Sequence, residues 1–117
     1  MKTFKTMAAQ GDLLIRRIAE LPKDAKIIEA EKGVFVVAHS ETGHNHVIDA
    51  MPQVKFFTTG DPMISYLQVI EATDEAETVI RHLRSFDTHE SIKVPVGIFE
   101  IRRQREYTPE GWRRVED

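Results

Sequence analysis

Turn-forming residues recur along this chain roughly every dozen positions, and this spacing constrains the fold more than any other feature. Examples are Met51-Pro52, Thr59-Gly60-Asp61-Pro62 and Pro95-Val96-Gly97. The apolar segments between the turns are short and rich in Val and Ile, and several alternate with polar residues. Short alternating segments of this kind are typical of strands, whereas a helix needs a longer stretch with a period near 3.6. The sequence therefore predicts an all-β protein.

About eight short strands are expected, and that number fits a small sandwich or barrel. The predicted strands cover residues 13–18, 25–30, 33–39, 44–49, 54–58, 63–70, 92–94 and 98–107, with a further one from Thr78 to Arg84. Segments 25–30 and 33–39 are predicted to form a hairpin, because Gly33 can supply the positive φ of a short loop. Residues 74–84 also allow a short helix, since Asp74-Glu75-Ala76-Glu77 resembles a helix start.

The chain has 117 residues, which suits a single β-rich domain over 1–117 with residues 1–10 as a candidate flexible arm. It has no cysteine, which excludes disulfides, thiolate catalysis and cysteine-based metal sites. A net charge of −3 argues against nucleic-acid binding, and no apolar run is long enough to span a membrane. The N-terminal segment lacks the apolar core of a signal peptide, so the expected location is the cytoplasm.

Two histidines stand one residue apart in "SETGHNHVID", and they are the main candidate for chemistry. Alternate strand residues face the same side, so His44 and His46 could share one metal ion. A third ligand would come from His89 or His82. The other interpretation is that these histidines are polar strand residues bonded to the backbone or to nearby acids, and the sequence favours it.

The segment "RRQREYTPEGWRRVED" is the most distinctive part of the chain. Its run of polar residues cannot form a buried central strand unless each polar group has a partner. Arginine and aromatic side chains often anchor protein contacts. The predicted contact residues are Arg102, Arg103, Gln104, Arg105, Tyr107 and Trp112. An aromatic clamp formed by Tyr107 and Trp112, closing the domain, is the structural alternative.

Three segments taken in order, "AHSETGHNHVID", "HLRSFDTHESIKVPVG" and "IRRQREYTPEGWRRVED", resemble a small family of unassigned function found in bacterial genomes and tailed phages. The resemblance covers roughly Gly11 to Asp117. It implies no reaction, but it does suggest a part of a virion or of its head. In many relatives the residue at the position of Asn45 looks like histidine, which gives three in a row. The asparagine in this chain weakens any claim that three consecutive imidazoles are needed.

Two functions follow from these observations. The first is a non-enzymatic structural or accessory protein of the phage type, which needs no cofactor and acts through protein contacts. Its partners would be a capsid, another virion component or further copies of itself. The second is a metal-binding protein similar to cupins, with a divalent ion such as zinc held by His44, His46 and His89, and His82 in reserve. No serine elbow or glycine-rich loop supports a catalytic or nucleotide-binding function.

Overall fold

The computed structural model describes residues 2–10, 12–38, 46–71, 77–82, 91–103, 105–108 and 111–114. Within these residues the chain is all β and contains no helix, as the sequence predicts. The strands are β1 (Lys2–Thr3), β2 (Met7–Gln10), β3 (Leu13–Ile18), β4 (Lys26–Ile28), β5 (Val34–Ala38), β6 (His46–Asp49), β7 (Val54–Thr58), β8 (Ile64–Val69), β9 (Val79–His82), β10 (Ile92–Lys93), β11 (Gly97–Arg103), β12 (Arg105–Thr108) and β13 (Gly111–Arg114).

Two open sheets contain eleven of these strands, so the arrangement is a sandwich. One sheet has the order β1-β10-β9-β6-β5, and the other has the order β2-β3-β11-β8-β7-β4. Strands β12 and β13 form a separate two-stranded hairpin. Pairing is antiparallel throughout except between β1 and β10, which are parallel.

The core lies between the inner faces of the two sheets. Alternate residues of β3, β8 and β11 contribute to it, two from each strand, as the two-residue period of a strand predicts. Phe35 of the five-stranded sheet packs on Phe56 of the six-stranded sheet, with ring centroids 5.6 Å apart. The core residues are Ala8, Leu13, Ile15, Phe35, Val37, Ile48, Val54, Phe56, Leu67, Val69, Ile80, Ile92, Val94, Phe99 and Ile101.

The predicted hairpin of residues 25–30 and 33–39 is wrong, although its turn is real. Lys32 and Gly33 have φ values of 52° and 79°, and the amides and carbonyls of Glu31 and Val34 bond to each other. The segments before and after this turn then diverge. Strand β4 pairs with β7, whereas β5 pairs with β6 in the other sheet. The turn therefore carries the chain from one sheet to the other.

The predicted strand over 98–107 is also corrected. Strand β11 ends at Arg103 and is paired on both sides, with β3 and β8. Strand β12 pairs instead with β13. The alternation of apolar residues stops at Ile101, and Gln104, Arg105 and Glu106 are all polar, so the core-facing pattern of β11 does not continue past Arg103. At residues 79–82 the strand prediction is confirmed, and residues 74–76 and 83–84 lie outside the described part.

An arginine closes one end of the inner face. Arg17 donates from Nε to the carbonyl of Lys5 at 2.7 Å and from Nη1 to the carbonyl of Val96 at 2.8 Å. Its guanidinium carbon lies 4.8 Å from the centroid of the Phe99 ring. Gly97 has φ 151°, and a Cβ there would collide with this guanidinium. Glycine is therefore required for the loop to approach Arg17.

Candidate functional site

His46 is fully buried between the two sheets and contacts Gln10 of the opposite sheet and Asp12 of the β2–β3 turn. Its Nδ1 lies 2.9 Å from Gln10 Oε1, and its Nε2 lies 3.3 Å from Asp12 Oδ1. Gln10 Nε2 donates to the carbonyl of Ile80 at 3.1 Å, so the amide oxygen of Gln10 is the acceptor for the imidazole. All three polar side chains are more than nine-tenths buried, and hydrogen bonds are stronger in such an environment than in water. The cluster therefore links the two sheets in the interior.

The other predicted metal ligands are described only in part. His82 is the register partner of His46 across β6 and β9. His44 and His89 lie outside the described residues. Within the described part, no three His, Asp or Glu side chains come together as a group that could hold a metal ion. Both ring nitrogens of His46 contact oxygen atoms of the protein, so direct ligation by His46 requires it to give up one of these contacts.

The predicted contact residues separate into three places. Arg102 lies on the outer, solvent-facing side of the six-stranded sheet, whereas Arg103 occupies the next position of β11, on the inner side. Arg105, Tyr107 and Trp112 belong to the hairpin, where Tyr107 and Trp112 are register partners. Gln104 lies outside the described residues. These residues therefore do not form one surface along a single strand.

A row of six residues crosses the whole outer face of the six-stranded sheet. Each pair of neighbours in this cross-sheet row consists of register partners on adjacent strands, so the side chains lie next to one another. The row consists of Met7, Arg16, Glu100, Tyr66, Phe57 and Ile27. Its width is about 24 Å, which is five spacings between strands.

The centre of the row is charged. Arg16 Nη2 lies 3.3 Å from Glu100 Oε1, and Arg102 Nε donates to the same carboxylate oxygen. Glu100 is only 7% exposed, whereas both arginine side chains are about half exposed. The hydrogen bond to Glu100 raises the pKa of Arg102 above its ordinary value. One nearly buried carboxylate thus pairs with two half-exposed arginines.

Tyr66 lies beside this charged centre and is also nearly buried. Burial is the main cause that raises the pKa of Tyr66 above 10.0, and the neighbouring Glu100 carboxylate adds to it. Arg102 acts in the opposite direction, and Asp24 and Asp61 raise the pKa slightly further. The Tyr66 hydroxyl therefore stays protonated and can donate a hydrogen bond throughout the physiological range.

Both ends of the row are apolar and exposed. Met7 on the edge strand β2 is 54% exposed, and Ile27 on the edge strand β4 is 61% exposed. Phe57 next to Ile27 is half-buried.

Reasoning from sequence missed Arg16, Glu100 and Tyr66, because their pairing depends on register between distant strands. The sequence signal that could have indicated this surface was a charged or aromatic residue at an outward-facing position of each of the strands β3, β11 and β8.

The comparisons with known proteins give one result. Residues 9–104 match the family described as Domain of unknown function (DUF8820). The chain belongs to this family. The match covers most of the sandwich and leaves the β12–β13 hairpin outside it. No curated protein and no solved structure matches the chain. Among the described residues, no helix is long and apolar enough to cross a membrane.

Proposed function

We propose that this member of DUF8820 is a non-enzymatic attachment module that binds another protein through the outer face of its six-stranded sheet. The observation that carries the proposal is the cross-sheet row, in which Arg16, Glu100 and Tyr66 lie between two exposed apolar ends. Arginine and tyrosine are enriched among residues that dominate binding energy. Exposed apolar side chains beside them add area that a partner can cover.

The charge on this face indicates the chemistry of the partner. The strands present Arg16, Arg102 and Lys55 on it, opposed by the carboxylate of Glu100, although the chain as a whole carries a net charge of −3. Asp24 and Asp61, whose charges also act on Tyr66, lie in the loops that flank the face, before β4 and between β7 and β8. A second copy placed face to face would bring like charges together, which is unfavourable. The favoured partner is therefore a different protein with an acidic surface that also contains apolar residues.

The setting that we propose for this contact is a virion of the phage type. This part of the proposal rests on the sequence resemblance, which covers the segments around His44, His89 and Tyr107. A phage accessory protein needs a rigid scaffold and a surface for attachment, and it needs no catalytic group. The buried position of His46 supports a structural function for that histidine in such a scaffold.

The proposal is tested with variants of Ile27, because this residue is exposed at the edge of the face and substitutions at exposed positions usually change stability little. Protein alone is analysed by light scattering. Protein mixed with phage particles, prepared from cells that encode this chain, is analysed by co-sedimentation. Wild-type protein is expected to be monomeric alone and to sediment with particles. Ile27→Glu should weaken binding at least about tenfold, because it removes apolar area and repels an acidic partner.

Ile27→Lys is the matched variant, since it loses the same apolar group and adds the opposite charge. It is expected to bind better than Ile27→Glu. Lys32→Glu, in the exposed β4–β5 turn, is the control for a change of net charge away from the face. Equal binding by all variants, or a wild-type dimer that Ile27→Glu dissociates, would contradict an acidic partner at this surface.

A further inference from the structure

A cavity of about 480 Å³ opens at the end of the sandwich opposite Arg17. It lies between β5 of one sheet and the inner side of β7, β8 and β11 of the other, and the β7–β8 turn forms its rim. Its apolar lining includes Leu13, Phe56 and Ile101, and the hydroxyl-bearing residues Thr58 and Ser65 also line it. This volume is within the range of sites that bind small molecules.

Among the described residues that line the cavity, Arg103 is the cationic one, and its position is unusual. It follows Phe99 and Ile101 on the inner face of β11, opposite Leu13 of β3. The two preceding inner residues are buried in the core, so the third would be expected to be apolar. Instead, this position is an arginine that lines the cavity, and its Nη2 atom is buried. The backbone amide of Arg103 is bonded to the carbonyl of Met63, which fixes the strand at the rim.

The Nη2 atom of Arg103 is buried and has no hydrogen-bond partner among the described residues. Leaving a buried donor of a charged group without an acceptor is costly, and such a group is a candidate for binding an anion. Arg17 provides the internal comparison, since it occupies an inner position of β3 and has two carbonyl acceptors. Arg103 thus has a hydrogen-bond donor without an acceptor, and it borders a largely apolar cavity.

We propose that this cavity binds a small monocarboxylate with an apolar chain, and that its carboxylate pairs with Arg103. Guanidinium and carboxylate match in charge and in planar geometry. The apolar chain would lie along Leu13, Phe56 and Ile101, while Ser65 and Thr58 provide hydroxyl donors near the head group. This site is separate from the outer face on which the proposed function rests.

Asp61 is expected to lower the affinity of the cavity for a carboxylate ligand. It also lines the cavity, at the rim, and its Oδ1 accepts a hydrogen bond from the amide of Met63 at 2.8 Å. A carboxylate ligand would experience repulsion from Asp61. Replacement by Asn keeps an oxygen acceptor for Met63 and removes the charge, so Asp61→Asn should bind the ligand more tightly than the wild type.

Octanoate is the probe, and 1-octanol is its uncharged match. Binding is followed through the backbone amide resonances of Ser65, Ile101 and Arg103 in two-dimensional NMR spectra. Octanoate is expected to give saturable shifts at these amides and to bind about tenfold more tightly than octanol, as a charge-assisted pair would provide. Arg103→Met should abolish this preference while octanol binding stays within about twofold.

Three outcomes would overturn the proposal. One is the absence of saturable shifts at the cavity with octanoate. Another is equal affinity for octanoate and octanol in the wild type. The last is a preference for octanoate that survives in Arg103→Met. The spectrum of each variant without ligand shows whether it is folded, so loss of binding is distinguished from loss of structure.

Discussion

The two ends of the inner face each carry an arginine, and the two arginines have different surroundings. At one end, Arg17 donates to the carbonyls of Lys5 and Val96 and covers the ring of Phe99. At the other end, Arg103 borders a cavity, and its Nη2 has no acceptor among the described residues. The loops make the difference. Two segments bring carbonyl oxygens to Arg17, whereas the β7–β8 turn stays at the rim of the cavity. An inward arginine can therefore close a sandwich or leave a site, depending on the acceptors that reach it.

Both ends depend on the two sheets staying packed together, and His46 links the sheets between those ends. We therefore expect the largest loss of stability from a substitution at His46. His46→Ala removes the partner of Gln10 Oε1 and of Asp12 Oδ1 in the interior, and it leaves space behind. We expect the free energy of unfolding to fall by about 3 kcal/mol, measured by urea denaturation.

Asp49→Ala is the matched control on the same strand. Asp49 pairs with Arg81 at 2.7 Å, but both side chains are about half exposed, so its loss should cost less than about 0.5 kcal/mol. Similar losses of stability for the two variants would show that His46 does not tie the sheets together.

Gly97→Ala tests the closed end. A Cβ at this position would displace the Arg17 guanidinium, and φ 151° is unfavourable for any residue with a side chain. We expect a loss of about 2 kcal/mol in the same denaturation experiment. Gly60→Ala is the control, because a Cβ there would meet no atom within 4 Å. A Gly97→Ala variant as stable as Gly60→Ala would contradict the close approach of this loop to Arg17.

The smallest effect should separate the two arginines directly. Arg17→Met removes two hydrogen bonds to carbonyls that are partly accessible to water, together with the contact to Phe99, and should cost about 1 kcal/mol. Arg103→Met removes a donor without an acceptor and keeps most of the apolar stem, so stability should change by less than about 0.5 kcal/mol. Equal losses at both positions would show that Arg103 is bonded as firmly as Arg17. That result would contradict the difference between the two ends of the sandwich.

The strands themselves were largely predictable. Leu13–Ile18 and Val54–Thr58 begin and end where the alternation and the turn residues indicate. The errors concern pairing. The Glu31–Val34 turn forms as expected, yet its flanking strands join different sheets, β4 beside β7 and β5 beside β6. A local pattern specifies a turn but not the strand that will lie beside it.

The candidate sites were less predictable than the strands. His46 was recognised as notable, but its contacts with Gln10 and Asp12 join positions far apart in the chain. Arg102 was expected at a contact surface, and metal binding by His44, His46, His82 and His89 remains a prediction. The pairing of Arg16 with Glu100 spans 84 positions, and no spacing along the chain indicates it. Charged residues on neighbouring strands become partners only when the register is set.

The sequence alone determined the class of this protein, because the two-residue period and the frequent turns act over a few neighbouring positions. It also excluded the chemistry of cysteine. Only the tertiary structure decided which strands share a sheet, which partners His46 has, and why Arg17 is satisfied while Arg103 faces a cavity. Those features depend on contacts between segments distant in sequence, whose geometry is set when the two sheets pack and the loops between them close.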